Sequence, residues 1–279
     1  MSLYISSLNS GSNGNCYYIG NDQEAVLIDA GISCRETERR LIRLGLSLQK
    51  IKAVFITHEH IDHVRGMEVI ATKHQLPIYI TALTLQNSRM KLPTHLVRPF
   101  SAYEPVQIGD LAVTAFPKLH DAIHAHSFVV AGNGVNIGVI TDVGAACEHV
   151  IRNFRQCHAA FLEANYDEAM LENGGYPTHL KNRIRGGHGH LSNREAVELV
   201  AAHKPAFMSH LLLAHLSKNN NTHELVIEAF SRFATQMNVV IASRYNETEV
   251  YKVTGTPTPA VKPPRPKAAQ KHATQATLF

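Results

Sequence analysis

Residues 57–63 read THEHIDH, and His58, His60, Asp62 and His63 within this segment can each bind a metal ion. Imidazole nitrogen and carboxylate oxygen are borderline-to-hard donors that suit zinc, manganese or iron. A segment this short does not easily wrap four donors around one ion. The spacing therefore fits two neighbouring ions, with two of the residues facing each. A single histidine carries no such message, but four donors directly after an apolar run do.

Such a cluster needs a rigid base. IKAVFIT, just before His58, is β-branched and apolar over the length of a buried strand. Upstream, CYYIGNDQEAVLIDA reads as a hairpin around GNDQ, and RETERRLIRLGL as an amphipathic helix closing near a glycine. VRGMEVIATKHQ reads as a helix and LPIYIT as a strand. VQIGDLAVTAF and SFVVAGNGVNIGVIT each read as strand–turn–strand. SNREAVELVAAH reads as a helix, after which helices alternate with short strands such as PAFMSHL and NVVIAS. Strand-rich sequence with interspersed helices thus occurs twice, with no linker before about Val253 and no repeat of short fixed period. This predicts one α/β domain of layered sheets with outer helices over 1–253, and a tail over 254–279.

Composition narrows the setting. The chain has no run of 18 apolar residues, and MSLYISSLNS lacks the pattern of a signal peptide. Cys16, Cys34, Cys147 and Cys157 form no C-x-x-C pair and are expected to be reduced thiols. The expectation is a cytoplasmic protein without membrane contact. The net charge of +4 lies in the tail, where Lys262, Arg265, Lys267 and Lys271 meet no Asp or Glu, so the remainder is formally neutral. A binding surface for a polyanion must then be local. KNRIRGG, with Lys181, Arg183 and Arg185, is one candidate for holding substrate phosphates; a solvated helix face is the plain alternative.

H-x-H-x-D-H after a strand resembles the signature of the metallo-β-lactamase fold superfamily, whose members share a four-layered αββα sandwich. The superfamily's other motifs occur in order: Asp29 in LIDAG, His120 in FPKLHD, Asp142 in VITDVG and His215 in AHLSKNNN. The resemblance covers roughly 1–253. It implies that His58, His60 and His120 hold one ion, that Asp62, His63 and His215 hold the other, and that Asp142 bridges them. Asp29 is implied to buttress the metal loop. His124 and His126 lie close to His120 in sequence, and His210 close to His215, although His210 sits in an apolar run and is expected to pack there. Two divalent ions are implied, Zn2+ or Mn2+, with iron also compatible.

SLNSGSNGNCYYI, LEANYD, GGHGHLSN and HLSKNNN resemble the YycJ/WalJ-like branch, nuclease relatives of ribonucleases Z and J. That resemblance implies a phosphodiester hydrolase, a 5′→3′ DNA exonuclease in repair or replication, acting on DNA in preference to RNA. Dimers are common among such relatives, which raises a homodimer for this chain. Ser192 and Asn193 make good N-caps, which would hold His190 beside a helix N-terminus, a place suited to phosphate. The resemblance gives His190 a part at the scissile phosphate or the leaving group, with His188 as a nearby competitor; Asp62 and His190 are the expected catalytic residues. Tyr166 and Asn219 depart from the branch, where histidine and an acidic residue are common. Alternative readings are a small-molecule phosphodiesterase of the same fold and a non-catalytic adaptor for DNA ends.

The tail is too rich in Pro, Ala, Thr and Lys to build a core, so disorder is expected. It ends in QATLF, which resembles the peptide by which bacterial repair proteins dock on the sliding clamp. Gln275 would hydrogen-bond at the pocket entrance and Leu278 with Phe279 would fill it, the tail acting as a basic tether.

Overall fold

The two strand-rich halves become two sheets of seven strands each. In the computed structural model, which describes residues 2–255, the first half supplies β1 (Ser2–Asn9), β2 (Cys16–Gly20), β3 (Ala25–Ile28), β4 (Ile51–Phe55), β5 (Ile78–Tyr79) and β6 (Val97–Arg98). The second supplies β7 (Val106–Ile108), β8 (Leu111–Pro117), β9 (His126–Gly132), β10 (Val135–Ile140), β11 (Ala159–Glu163), β12 (His210–Ala214) and β13 (Asn238–Ile241). β14 (Tyr251–Thr254) returns to pair with β1, giving the orders β14-β1-β2-β3-β4-β5-β6 and β13-β12-β11-β10-β9-β8-β7.

Both sheets change character along their width. β1, β2 and β3 pair antiparallel, as do β7 to β10, whereas β3 to β6 and β10 to β13 pair parallel. Parallel neighbours need crossovers. These contain the helices α1 (Cys34–Arg43), α2 (Ile61–Val64), α3 (Met67–His74), α4 (Ala82–Ser88), α5 (Glu148–Phe154), α6 (Glu168–Asn173), α7 (Thr178–Arg185), α8 (Asn193–His203) and α9 (His223–Phe230).

Because side chains alternate across a strand, each apolar strand serves two cores. Ile5, Tyr17, Val26 and Phe55 meet Val113, Phe128, Ile137 and Phe161 between the sheets. Tyr18, Val54 and Ile56 point the other way, into a core shared with Leu41 of α1 and Met67 and Ile70 of α3. Ile140, Leu162 and Leu213 likewise pack with Val150, Leu199 and Phe230 of the second helical layer. Helix, sheet, sheet and helix therefore stack as expected, and a fully buried side chain such as Phe55 contributes about 1.5–3 kcal/mol.

Two local expectations are corrected. VRGMEVIATKHQ is not one helix: the chain turns at Gly66, where an added Cβ would lie 2.0 Å from the carbonyl oxygen of Ile32. PAFMSHL is a strand only from His210, because residues 205–208 form a turn in which Met208 N donates to Pro205 O at 3.1 Å. The last strand reaches Thr254, one residue past the expected edge of the domain. Gln275, Leu278 and Phe279 lie outside the described residues.

Candidate metal centre

β3, β4, β8, β10, β11 and β12 all end at one rim of the sandwich. Asp29 follows β3, His58 to His63 follow β4, and His120 follows β8. Asp142 follows β10, Glu163 ends β11 and His215 follows β12. Carboxyl ends of parallel strands are the usual place for a ligand site, since the chain there leaves the sheet for loops. The backbone at three of these turns is unusual. Asp29, Asp142 and His215 have φ of 64°, 55° and 57°, the left-handed region that costs a non-glycine residue about 1–2 kcal/mol. Each turns the chain sharply at the point where its side chain is needed.

The side chains converge in two groups. His58 Nε2 lies 3.1 Å from His60 Nδ1, which lies 3.4 Å from His120 Nε2. His215 Nε2 lies 3.4 Å from Asp62 Oδ2, and His63 Nε2 lies 3.5 Å from the same oxygen. Asp142 stands between them: its Oδ2 is 3.3 Å from His63 Nε2, and its Oδ1 is 3.4 Å from His215 Nε2 and 4.0 Å from His120 Nε2. Within each group the donor atoms lie within 4.8 Å of one another. The residues fit a pair of cations by a simple test. Asp142 Oδ2 is buried and has no hydrogen-bond partner, a state that an anion in a protein interior tolerates only beside positive charge.

Local hydrogen bonds fix the groups in place. Asp29, fully buried, accepts from Thr57 N at 2.8 Å and its Oδ2 lies 2.7 Å from His63 Nδ1. That contact leaves Nε2 of His63 free to act as a donor atom. The turn of residues 29–31 lies tight against the metal loop. Ala30 N donates to His63 O at 2.9 Å, and a Cβ on Gly31 would lie 1.7 Å from Asp62 O. Asn15 reaches in from the loop after β1, its Nδ2 3.1 Å from Asp62 Oδ2.

The electrostatics divide the histidines. Burial pushes His58 well below its ordinary range and His120 down to about 3, so both are neutral imidazoles able to bind metal. Burial acts the same way on His63 and His215, but nearby carboxylates, Asp142 foremost, outweigh it and raise both, His215 to about 10. Burial alone would raise Asp142, yet His215 and His63 hold it well below the carboxylate range. The rim is thus an anionic pocket that requires compensating positive charge, as protons or as metal.

Three contributors were not expected from the sequence. Glu163 is buried, and its Oε1 lies 2.7 Å from His190 Nδ1 and 3.1 Å from His215 Nδ1, while its Oε2 accepts from Val143 N at 2.6 Å. Lys118 is buried and donates to Thr141 O at 2.7 Å. Asn15 is the third. A charged residue inside an apolar strand is a signal that could have found Glu163.

The remaining candidates separate clearly. His190 lies two residues before the Ser192 cap of α8, where Ser192 and Glu195 form a reciprocal capping box. Its ring centroid is 5.4 Å from that of His120 and 5.1 Å from that of His215, against both groups. His188 is exposed. His124 faces Thr81 at 3.1 Å and His126 packs on Phe100, away from the cluster. His210 begins β12, the opposite end of the strand from His215, and packs against Tyr251. Tyr166 is buried beside Ser192, and Asn219 Nδ2 donates to the Tyr176 hydroxyl at 3.0 Å. A cleft of about 180 Å³ opens over the cluster, lined in part by Ser12, Asp121, Tyr176, Arg183, His190 and Ser217. Of the three basic residues of α7, Arg183 lines this cleft and pairs with Asp121, whereas Lys181 and Arg185 bind Glu172.

A profile described as a beta-lactamase superfamily domain matches residues 24–216. The chain belongs to the metallo-β-lactamase superfamily. Among curated relatives, it is 34% identical to exodeoxyribonuclease YycJ of Bacillus anthracis over 228 residues, covering 81% of this chain and 86% of the relative. It is 28% identical to exodeoxyribonuclease WalJ of Streptococcus pneumoniae over 257 residues, covering 90% and 96%. The metallo-β-lactamase fold protein YhfI of Bacillus subtilis superposes with a TM-score of 0.68 at 16% identity, covering 90% of this chain and all of that one, or 100%. Zinc-bound PqqB of Methylobacterium extorquens gives 0.64 at 14% identity, covering 88% and 99%. As a metallo-β-lactamase fold protein with intact His/Asp groups, the chain is a metal-dependent hydrolase whose site is consistent with two ions. Among the described residues, no helix is long and apolar enough to cross a membrane.

Proposed function

We propose that this hydrolase is a DNA exonuclease that cleaves phosphodiesters at a dinuclear centre, in repair or replication. His58, His60 and His120 hold one ion in this reading, Asp62, His63 and His215 the other, and Asp142 both. The observation that carries it is His190, a histidine against both donor groups that is held by Glu163 rather than needed in either triad. The curated relatives named exodeoxyribonucleases add the substrate class.

Two bound divalent ions supply polarisation of a non-bridging phosphate oxygen and a water of lowered pKa. The chain's own residues do the rest. Glu163 accepts the Nδ1 proton of His190, and Nε2 of that ring is the atom that would pass a proton to the departing oxygen. Asp29 keeps the tautomer of His63 by the same logic. Arg183, already oriented by Asp121 on the cleft wall, is placed to meet a flanking phosphate. Zn2+ and Mn2+ both suit the donor set. Docking on a sliding clamp through Gln275, Leu278 and Phe279 belongs to the same proposal and is read from sequence alone.

The test is digestion of 5′-labelled duplex DNA, single-stranded DNA and RNA with Mn2+ or Zn2+, with His60→Ala and Asp142→Ala as controls. Metal-dependent nucleotide release from DNA, lost in both variants, is the expected result. Turnover of a small phosphodiester without cleavage of any polymer would instead make the chain a small-molecule enzyme.

A further inference from the structure

A second cavity, of about 160 Å³, adjoins the cleft over His190, and Ser217 lines both. Its wall includes Ser10, Ser217, Lys218, Asn221, His223 and Arg244, and no carboxylate. The cavity is tied to the metal centre through the backbone: Ser10 Oγ accepts from His215 N at 2.7 Å, and Ser217 is two residues past His215.

Arg244 is the telling residue. Six arginines, Arg39, Arg40, Arg43, Arg183, Arg185 and Arg194, have a carboxylate partner and several exposed ones have none, but among the described arginines Arg244 alone buries a guanidinium nitrogen without a hydrogen-bond partner. Among the described residues, neither Arg244 nor Lys218 forms an ion pair, and Nη1 of Arg244 is buried without a hydrogen-bond acceptor. Residues 256–279 contain no Asp or Glu to supply one. The acid nearest Arg244 along the chain, Glu247, pairs with Arg43, and neither it nor Glu224 in the first turn of α9 is part of the wall. A guanidinium N–H shut away from water with no acceptor is costly, and turning that group toward an oxyanion in the cavity relieves the cost. The start of α9, capped by Thr222 beside His223, adds the positive end of a helix to the same wall.

We propose that this cavity is a phosphate subsite, in which Arg244 and Lys218 grip one phosphate of a nucleic acid strand whose scissile phosphodiester lies in the adjoining cleft. The inference rests on the exonuclease reading for the identity of the strand. Oxyanion capture by a paired arginine and lysine distinguishes a polymer, which reaches both pockets, from a small diester, which fills only one. The phosphate is either a terminal 5′ monoester or an internal diester, and the two differ in a direct test.

Full-length protein and its Arg244→Gln and Lys218→Gln variants are compared by fluorescence anisotropy with a short single-stranded DNA, 5′-phosphorylated or 5′-hydroxyl, in EDTA so that nothing is cleaved. Affinity is expected to fall about tenfold or more in Arg244→Gln. A loss confined to the 5′-phosphorylated strand assigns the terminal monoester; an equal loss for both assigns an internal diester. Unchanged affinity for both strands in both variants overturns the subsite. Lys218 is exposed, so Lys218→Gln keeps the test readable should Arg244→Gln fail to fold. With metal restored, the ratio of oligonucleotide to small-diester turnover should fall in the same variants. Failure of the exonuclease reading looks different: DNA is then not degraded by the unmodified protein, whatever the anisotropy shows.

Discussion

Oε1 of Glu163 lies 2.7 Å from Nδ1 of His190. The same oxygen lies 3.1 Å from Nδ1 of His215, so one buried carboxylate orients both a proposed metal donor and the histidine proposed to act on the leaving group. Burial alone would raise the Glu163 carboxyl, but the charge of His190 and hydrogen bonds from His190 and His215 hold it down at about 2. It is therefore an anion throughout the working range, able to accept from both rings. Glu163→Gln keeps the volume and removes that charge. We expect a fall of about 10- to 100-fold in metal affinity or activity. Metal content by elemental analysis, alongside turnover, checks it; wild-type values for both would remove Glu163 from the site.

Asp29 makes a separable prediction, because it touches His63 directly and reaches His58 of the first group only through the Thr57 hydroxyl. In Asp29→Asn the amide can turn its N–H toward His63 Nδ1 and favour the tautomer protonated at Nε2, which cannot bind metal. About one metal equivalent should be lost or weakened about 10- to 100-fold, with the other held by His58, His60 and His120. Stoichiometry near two ions per chain in this variant would contradict the proposed orienting role.

His190→Ala should behave in the opposite way. The ring touches both groups but is needed in neither triad, so metal content should stay near that of the unmodified protein while kcat falls about 10²- to 10⁴-fold. A substrate with a good leaving group needs little protonation and should lose much less. Equal losses on good and poor leaving groups would assign His190 to substrate positioning rather than proton transfer.

These residues differ in how far the sequence alone discloses them. His58, His60, Asp62 and His63 are legible because their donors crowd into one loop. His120, Asp142 and His215 become legible only through resemblance, since nothing local distinguishes them from other histidines and aspartates. Glu163 ends an ordinary buried strand, AAFLE, and acquires its role only where β10, β11 and β12 lie side by side. Arg244 is similar: its isolation from acids is a property of the packed loops around α9. The recurrence of strand-rich sequence disclosed the layers, whereas the short helices α4 to α7 carried too few periodic residues to be read.

The cysteines offer a test of the fold apart from catalysis. Burial pushes the Cys34 thiol up to about 11 and Cys157 up to about 12, and Cys16 higher still. Raised values leave little thiolate at pH 8, and thiolate is the reactive form. Cys147 is partly exposed. Brief alkylation of the native protein at pH 8 should therefore label Cys147 first, with the other three reacting only on unfolding; peptide mass mapping reads this directly.

A last prediction concerns acid. Glu38 lies 2.6 Å from Lys73 Nζ and 2.7 Å from His74 Nε2, joining α1 to α3 on the outer face of the first sheet. Hydrogen bonds from Lys73 and then His74 lower its carboxyl to about 2. A carboxyl lowered on folding contributes stability above its unfolded value, about 4.3, and loses it as pH falls toward the folded value. Lys73 is largely solvent-exposed, so the contribution is small, under about 1 kcal/mol. Glu38→Gln should thus be slightly less stable than the unmodified chain at pH 7, and the two should converge as pH falls from about 4.3 toward 2. Urea unfolding at several pH values measures the gap. A gap that persists unchanged below pH of about 3 would mean that packing at this position, not its charge, accounts for the difference.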